Sequence, residues 1–484
     1  MKKGILMLAA FAFALAFAIP SYSAVQNVKV GGDFTIYGAY RHDFSFNNKF
    51  KTNDFLQSSV RVWVSAQLSN NVSTMVRLIN ERDWGQSVYN GATGNSNGNI
   101  TLDLAYVKIA DLITPGLNLT IGRQDLKIGQ GFVIGSQYNA LNYNTGMTGF
   151  GGSGGVANLL APDLGLQQSF DAIKLDYATP IIPLSAQGFF AKVNESNTAY
   201  STEGPGSSSP NDVNLLGLSV LYAPSNWSLE PYVVNEYNYA NSGTGATPAL
   251  PYNVPDYNSS ITTAGLRGTL TIPAAPGLSF KGEYAKQFGT DEFVHQSYEG
   301  WAGYLGGKYV FQTPMKPYIS AEYSMYSGQT PGDAKVKAWQ PMYPSDLSSQ
   351  FGAIGYPAVW TMLYGGSIYN GLTPTQYDSP YYPGIKIAKI GVGFQPLQKL
   401  GVFLNYYDLT LDKKLAPGGN TSFAGSDSVG NEVDLGLNYA YSEDVNFGLT
   451  VGQLYRGDYV KDVLFNGQNS EDPWEALASM TVSF

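Results

Sequence analysis

Apolar and polar residues alternate with a period of two along almost the whole chain. In the segment QSSVRVWVSAQLS, Val62 and Val64 fall on one side of an extended backbone, while Ser59 and Arg61 fall on the other. This alternation is typical of a β-strand with one apolar face and one wet face. It recurs in eighteen segments, which begin near residues 27, 55, 72, 100, 117, 169, 184, 213, 228, 260, 277, 298, 316, 385, 399, 431, 445 and 475. The pattern predicts an all-β fold of about eighteen strands.

The composition indicates that part of the protein surface faces something other than water. Charged residues make up 13% of the chain, about half of the roughly 25% found in soluble domains. Hydrophobic residues at 44% and aromatic residues at 14% are too abundant for a disordered chain. After residue 20 no apolar run approaches the roughly 20 residues of a membrane-spanning helix. A closed β-barrel is the other structure that satisfies its backbone groups in lipid.

The connections between the segments alternate between short and long. The short connections carry turn residues, at Asn70-Asn71, Pro115-Gly116, 180–183, 224–226, 273–277, Pro314, Pro396 and 442–444. The long ones are polar and rich in Gly, Ser and Asn. This arrangement favours an antiparallel up-and-down transmembrane barrel with short periplasmic turns and long extracellular loops. Aromatic residues just before the short turns predict a periplasmic girdle, made of Tyr177, Tyr222, Phe311, Phe394 and Tyr439.

Both ends of the chain carry signals for export and assembly. Lys2 and Lys3 precede an apolar run over 5–19 and a small-residue stretch, which predicts a cleaved signal peptide over 1–24. An N-terminal anchor helix is the alternative, although the run is short for a membrane span. We expect 25–484 to form a single barrel domain. The last strand alternates to a C-terminal Phe484, which resembles the signature that the barrel assembly machinery reads in bacterial outer-membrane proteins.

Polar positions on the wet face are expected to line the channel lumen. This phasing predicts that the lining includes Arg41, Arg61, Arg77, Glu81, Asp103, Lys174, Arg267, Lys281, Lys308, Glu432 and Asp434. Arg41, Arg61 and Arg77 would form a basic wall whose transverse field selects dipolar or charged solutes. The alternative is that the charges pair with one another along the wall and only keep the lumen wet.

Two long loops stand out. Residues 128–168 contain ten glycines and a single charge, Asp163, so this loop can fold into the lumen with little desolvation of charge. Residues 327–384 contain ten aromatic residues, including Trp339 and Trp360. These aromatic side chains would either stack on passing sugar rings or form a small core of the loop itself.

Little in the sequence indicates catalysis. The only histidines, His42 and His295, are far apart in sequence and near strand ends. A surface enzyme using His42 and Asp43 is the weakest alternative, because no partner residue is evident. Without cysteine, histidine clusters or a phosphate-binding loop, we expect no catalytic residue, metal or cofactor. The net charge of −9 argues against nucleic acid as a partner.

Several segments resemble the alginate export family of outer-membrane channels. The similarity is carried by RVWVSAQLSNNVSTMVRLINERDWG (61–85), IGRQDLKIGQGFVIG (121–135) and GNEVDLGLNYAYSEDVNFGLTVGQLYRGDYV (430–460). The resemblance implies an eighteen-strand monomeric barrel that passes an acidic polysaccharide through a basic constriction. It also assigns a family-motif arginine to Arg123, which lies in phase with the apolar Ile121. Either a bulge turns Arg123 inward, or the strand has left the membrane at that point.

The sequence thus predicts a porin-like channel of the bacterial outer membrane for passive diffusion of hydrophilic solutes. Export of an anionic polysaccharide is the alternative, and a surface enzyme or adhesin on the 327–384 loop is the third hypothesis. The chain has only seven arginines, and its acidic residues outnumber its basic ones. This balance favours small or oligomeric hydrophilic solutes over alginate itself. Lipid, the assembly machinery and the solute are the expected partners.

Overall fold

Eighteen antiparallel strands close into a barrel in the computed structural model. The structure describes residues 26–43, 52–85, 100–135, 164–194, 211–240, 257–291, 295–330, 333–340, 342–344, 384–414, 426–464 and 471–484. The strands are β1 (Gln26–His42), β2 (Thr52–Gln67), β3 (Val72–Asp83), β4 (Thr101–Ile109), β5 (Leu117–Gln124), β6 (Phe170–Ala178), β7 (Leu184–Asn194), β8 (Asn211–Tyr222), β9 (Trp227–Ala240), β10 (Tyr257–Thr271), β11 (Leu278–Asp291), β12 (Gln296–Ser297), β13 (Trp301–Val310), β14 (Tyr318–Tyr326), β15 (Ile385–Leu397), β16 (Leu400–Leu411), β17 (Ser428–Ala440), β18 (Val445–Arg456) and β19 (Trp474–Ser483).

The ring has eighteen places because β12 and β13 share one of them. Both pair with β11, β12 at its outer end and β13 along the rest of its length. Every other neighbouring pair is consecutive in the sequence, and β1 pairs with both β2 and β19. Each predicted strand start lies within three residues of an observed one. The expected signal peptide, 1–24, lies outside the described residues.

The lipid-facing surface follows the predicted phase. Val62 and Val64 on β2, and Ile173 and Leu175 on β6, are exposed by 41–49%, as befits side chains that face lipid tails. On the opposite face, Ser59 is fully buried inside the barrel. Among the described residues, no helix has the length and apolar character needed to cross a membrane.

The eight short connections all lie at one end of the barrel, together with the C-terminus. The aromatic residues predicted for this end, from Tyr177 to Tyr439, are exposed by 37–42%. Tyr222 packs edge-on against Trp227 across one such turn, with ring centroids 5.3 Å apart. One turn differs in detail from the prediction: Pro396 lies inside the end of β15, where the register with β16 shifts. A proline fits there because it has no N–H to donate to the ladder.

Backbone hydrogen bonds from the last residue complete the seam between β1 and β19. Phe484 N donates to Gly32 O at 3.0 Å, and Gly32 N donates to Phe484 O at 2.9 Å. A Cβ atom on Gly32 would lie 2.7 Å from the Phe484 ring, so glycine permits this close approach. The C-terminal residue therefore contributes to closure of the barrel through its main chain.

Deletion of Phe484 should impair closure more than Phe484→Ala, because only the deletion removes both seam hydrogen bonds. In refolding into lipid vesicles without any assembly factor, we expect the deletion variant to lose most of its heat-resistant folded band on gels. Phe484→Ala should refold nearly as well as the native protein. Equal yields for all three proteins would show that the seam bonds are dispensable.

Candidate functional site

The eleven charged residues predicted for the lumen lie on the strand faces opposite the exposed apolar side chains. On β1 to β4, Arg41, Glu81 and Asp103 are buried to 8% exposure or less. Their strands carry exposed neighbours in the opposite phase, such as Tyr40 and Leu102. The inner face of the barrel is therefore lined with charge, as the alternation of the strands requires.

Each of the three arginines on the first strands has a carboxylate partner. Arg41 Nε lies 2.6 Å from Glu475 Oε2 across the β1–β19 seam. Arg61 Nε lies 2.9 Å from Asp33 Oδ1. Each of these two ion pairs links neighbouring strands of the barrel, β1 with β19 and β1 with β2.

The third arginine binds acids from two elements. Arg77 Nε donates to Asp103 Oδ2 at 2.5 Å, and its terminal nitrogen lies 3.8 Å from Asp125 beyond the end of β5. Nearby, Glu81 accepts hydrogen bonds from Ser59 Oγ at 3.0 Å and from Leu166 N at 2.6 Å. All three arginines therefore form ion pairs along the barrel wall. Nearby carboxylates locally compensate their positive charge.

The opposite wall carries a row of alternating charges on β11 to β17. Lys281 interacts electrostatically with Glu322, and Glu322 with Lys389. The strand registers place these three residues in one row across the sheet with Glu432. Gly306 on β13 and Tyr407 on β16 occupy the intervening positions of that row. The side chains of Glu432 and Asp434 are almost completely buried. The row presents both signs of charge to the lumen.

The remaining predicted lumen residues also contact neighbours on the wall. Arg267 donates to Glu230 Oε2 at 3.2 Å, and Lys174 Nζ lies 3.2 Å from Asp176. Lys308 Nζ lies 3.9 Å above the ring of Tyr318, a cation–π contact. The wall is therefore polar at each of these positions without a large excess of either sign.

The connection after β5 crosses the lumen. Its turn at Ile128 to Gly131 reaches β9 and β10, where Gly129 N donates to Glu230 Oε1 at 3.3 Å. Gly129 has a φ of +55°, and a Cβ there would lie 2.7 Å from Arg267 Cδ. The positive φ favours glycine at this contact, and a Cβ atom there would also displace the Arg267 side chain.

The connection after β14 enters the lumen from the other side. Gln340 N donates to Gln287 Oε1 at 2.8 Å, and Gln287 Nε2 donates to Gln340 O at 2.6 Å. Further along, Tyr343 is hydrogen-bonded to Glu236 on β9. Burial and this carboxylate raise the pKa of Tyr343 well above its ordinary value, so the phenol remains neutral.

The two connections meet inside the barrel. Ile134 and Tyr343 form a parallel β-bridge, in which Gly135 N donates to Tyr343 O at 2.6 Å and Tyr343 N donates to Val133 O at 2.9 Å. Residues 136–163, 331–332, 341 and 345–383 of the two predicted loops lie outside the described residues.

An aromatic cluster surrounds the tip of the first connection. Phe132 lies with its ring centroid 5.5 Å from Tyr304, 5.9 Å from Tyr326 and 6.0 Å from Trp339. All four side chains are at most 5% exposed. We call these four residues the constriction cluster. They connect β13 and β14 to both connections and fill the lumen on that side.

Arg123 lies on the outer surface. Its guanidinium makes two hydrogen bonds to Asp171, at 2.9 and 2.7 Å, and a third to Leu102 O at 3.1 Å. The strand registers on both sides of β5 are regular, so no bulge turns the residue inward. The position is near the loop end of the strand, where an exposed ion pair is compatible with the water interface.

At the rim of the barrel, residues at the end of β1 contact the segment that precedes β19. His42 Nε2 lies 2.9 Å from Glu471 Oε2, and Asp43 accepts a hydrogen bond from Glu471 N at 2.6 Å. Burial raises the pKa of Asp43 although this hydrogen bond opposes the shift. His295 lies elsewhere, between β11 and β12, so the two histidines do not form a shared site.

Some residues of the site are not evident from the alternation alone. The partner of Arg41 lies on the last strand, so the pair between Arg41 and Glu475 depends on barrel closure. The inward position of Phe132 and Trp339 depends on the paths of irregular loops. The two closely spaced glycines of GQG were the available signal for the turn at Gly129.

These features define a porin-like β-barrel of the bacterial outer membrane, with loops folded into its lumen. The sequence model of the alginate export family matches residues 161–465, more than half of the chain. The chain therefore belongs to the alginate export family. No protein in the curated set matches it significantly.

Solved porins of low sequence identity share the fold. Pseudomonas aeruginosa OccD3 (OpdP) has 12% identity and a TM-score of 0.52, with 96% of this chain and 93% of that chain covered. Acinetobacter baumannii OccAB1 has 12% identity and a TM-score of 0.54, with coverage of 96% and 98%. The P. aeruginosa outer membrane protein OprD has 9% identity and a TM-score of 0.51, with 96% of both chains covered.

Arg77→Ala should destabilise the barrel, because it leaves the buried Asp103 carboxylate without its cation. We expect a loss of about 3 kcal/mol in the free energy of unfolding, measured by urea titration in lipid vesicles. Arg77→Ala with Asp103→Ala should recover part of that loss. Arg123→Ala should cost less than about 1 kcal/mol, because its partner Asp171 is half exposed and water can solvate the carboxylate that remains. Equal losses for the two single variants would contradict the structural role assigned to the Arg77–Asp103 pair.

Cysteines at positions 134 and 343 should form a disulfide in the folded protein. The two residues are bridge partners, and the native chain has no cysteine to compete. We expect oxidised Ile134→Cys/Tyr343→Cys to show a mobility shift that a reductant reverses. A pair placed at positions 134 and 305 is the control, since Leu305 faces lipid. Equal cross-linking of both pairs would refute the contact between the two connections.

Proposed function

We propose that the protein is a passive outer-membrane channel for small or oligomeric hydrophilic solutes, with its constriction formed by the two inward connections. The observation that carries this proposal is the bridge between Ile134 and Tyr343 inside a closed barrel. A closed ring of eighteen strands encloses a lumen wide enough for water and solutes. Segments that cross it narrow the path and bring solutes against the wall.

The wall charges support weak rather than strong ion selectivity. Arg41, Arg61 and Arg77 each have a carboxylate within 3 Å. On the opposite wall Lys281, Glu322 and Lys389 alternate in sign. Paired charges keep water ordered in the lumen and favour dipolar solutes, because neither sign is present in large excess.

Membership of the alginate export family supports a second candidate, the export of an anionic polysaccharide. A polyanion would need unpaired basic side chains along its path. Lys308 is the best placed for this, since the structure shows a cation–π contact with Tyr318 for it. The compensated arginines favour the first candidate.

Planar-bilayer recordings in a salt gradient would test both candidates. For a general channel we expect a stable conductance with a small reversal potential that Arg61→Ala and Arg77→Ala shift only slightly. Marked anion selectivity that these two variants abolish would favour export of a polyanion instead. Arg123→Ala is the matched control, since that residue lies outside the lumen. Absence of any conductance from folded protein would refute both candidates.

Removal of the constriction cluster should widen the path. Phe132→Ala/Trp339→Ala is expected to raise single-channel conductance by about twofold, because it removes two large rings from the lumen. Phe280→Ala on the lipid face should leave the conductance unchanged. If the double variant conducts like the native protein, the path for ions does not pass the cluster.

A further inference from the structure

A cleft of about 220 Å³ opens at the outer end of β11, β13 and β14. Its strand side is formed by Lys286, Trp301 and Met325, and its loop side includes Glu299, Lys337 and Lys413. The cleft is separate from the lumen and from the constriction cluster, so the proposed channel function does not account for it.

The strand residues of the cleft face outward, toward lipid. Lys286 alternates along β11 with Tyr284 and Phe288, which are exposed by 52% and 49%, whereas Ala285 and Gln287 are fully buried inside the barrel. Lys286 is directly opposite Trp301 in the strand register, so their side chains share one face of the sheet. The cleft therefore lies on the membrane side of the wall, at the end that carries the long loops.

Lysines outnumber acids in the cleft and its border. Lys413 Nζ lies 3.2 Å from Asp412, and Lys386 Nζ lies 3.3 Å from the other oxygen of the same carboxylate. Asp412 is thus already shared by two cations. Lys386 lies beside the cleft but does not line it, and its ion pair neutralises part of the Asp412 charge.

The other side of the cleft has the same arrangement. Lys335 pairs with the Glu299 carboxylate, while Lys286 Nζ donates to the Glu299 main-chain oxygen at 2.9 Å. Lys337 Nζ lies 2.6 Å from Asp333. The hydrogen bond from Lys335, aided by the charges of Lys286 and Lys337, lowers the pKa of Glu299. With Lys386 and Lys413, these groups make five lysines against three carboxylates, a local positive excess in a chain of net charge −9.

We propose that this cleft binds a phosphate group of the phosphorylated glycolipid that forms the outer leaflet. Lys286, Lys337 and Lys413 line the cleft from three different segments and can donate to one phosphate. Trp301 and Met325 offer apolar surface toward the bilayer for the sugar and the start of the acyl chains. A lipid is favoured over a free anion because the strand side of the cleft opens onto the lipid-facing surface.

The loop that supplies Lys337 also supplies part of the constriction. Trp339 follows Lys337 by two residues and packs on Phe132 in the lumen. Between these two side chains the segment passes over the barrel rim, where Ser327 Oγ donates to Lys337 O at 2.7 Å. A lipid held by Lys337 would therefore anchor this loop from the outside.

Native mass spectrometry of the full-length protein in detergent would test the proposal with purified lipid A as the probe. We expect the native protein to retain phosphorylated lipid A and to bind its dephosphorylated form about tenfold more weakly. Lys286→Gln/Lys337→Gln/Lys413→Gln should weaken retention of the phosphorylated form by a similar factor. Lys414→Gln is the matched control, because this rim lysine does not line the cleft and should have no effect.

Folding of each variant is verified by its heat-dependent shift on gels. If the triple variant does not fold, Lys337→Gln alone is used, since that side chain lies on an exposed loop, and about threefold weaker retention is expected. Equal binding of both lipid forms, or unchanged retention in the cleft variants, would overturn the proposal. Displacement of lipid A by millimolar inorganic phosphate would also overturn it, because the cleft would then be a site for the free anion.

Discussion

The demand that every backbone N–H and C=O be paired within the lipid core governs this structure. A sheet with free edges cannot meet that demand, so the first strand must pair with the last. The ten paired positions from Asp33 with Ser483 to His42 with Trp474 satisfy it, and the main chain of Phe484 extends the seam by one more residue. Closure then decides which side chains face inward, because the two faces of each strand are fixed by the same pairing.

Charge inside the barrel follows from that division. The outer face must be apolar, so the charges of the strands collect on the inner face. There they are close enough to pair, and pairs such as Arg41 with Glu475 bridge neighbouring strands. A pair of this kind costs less to hold in a narrow wet lumen than an isolated charge would. The same pairing limits how strongly the channel wall can prefer one sign of ion.

Alternation made the strands predictable, and turn residues made the direction of the barrel predictable. The alternation is visible within each short segment, whatever its position in the chain. The strand starts near 27 and 475 are therefore as predictable as those of the central strands. Arg123 follows the same rule: the periodicity places it on the outer face, and a bulge would have been needed to turn it inward. The structure follows the periodicity, and Asp171 supplies the partner.

Partners and loop paths were much less predictable. The pairing of Asp33 with Arg61 depends on the register between β1 and β2, which the alternation within each strand does not fix. Phe132 and Trp339 lie in irregular segments, where no period relates one residue to the next. Their meeting depends on the shape of the enclosed space, which exists only after the ring has formed.

The bridge between Ile134 and Tyr343 has a consequence for the stability of the barrel. The two bridged segments come from opposite halves of the sequence, and several strands of the barrel wall lie between them. They lie side by side only because those strands curve into a ring. The packing of Phe132 against Trp339 therefore depends on the curvature of the closed barrel, and the burial of these two rings contributes to its stability. The segments that narrow the lumen thus also hold distant parts of the barrel wall together.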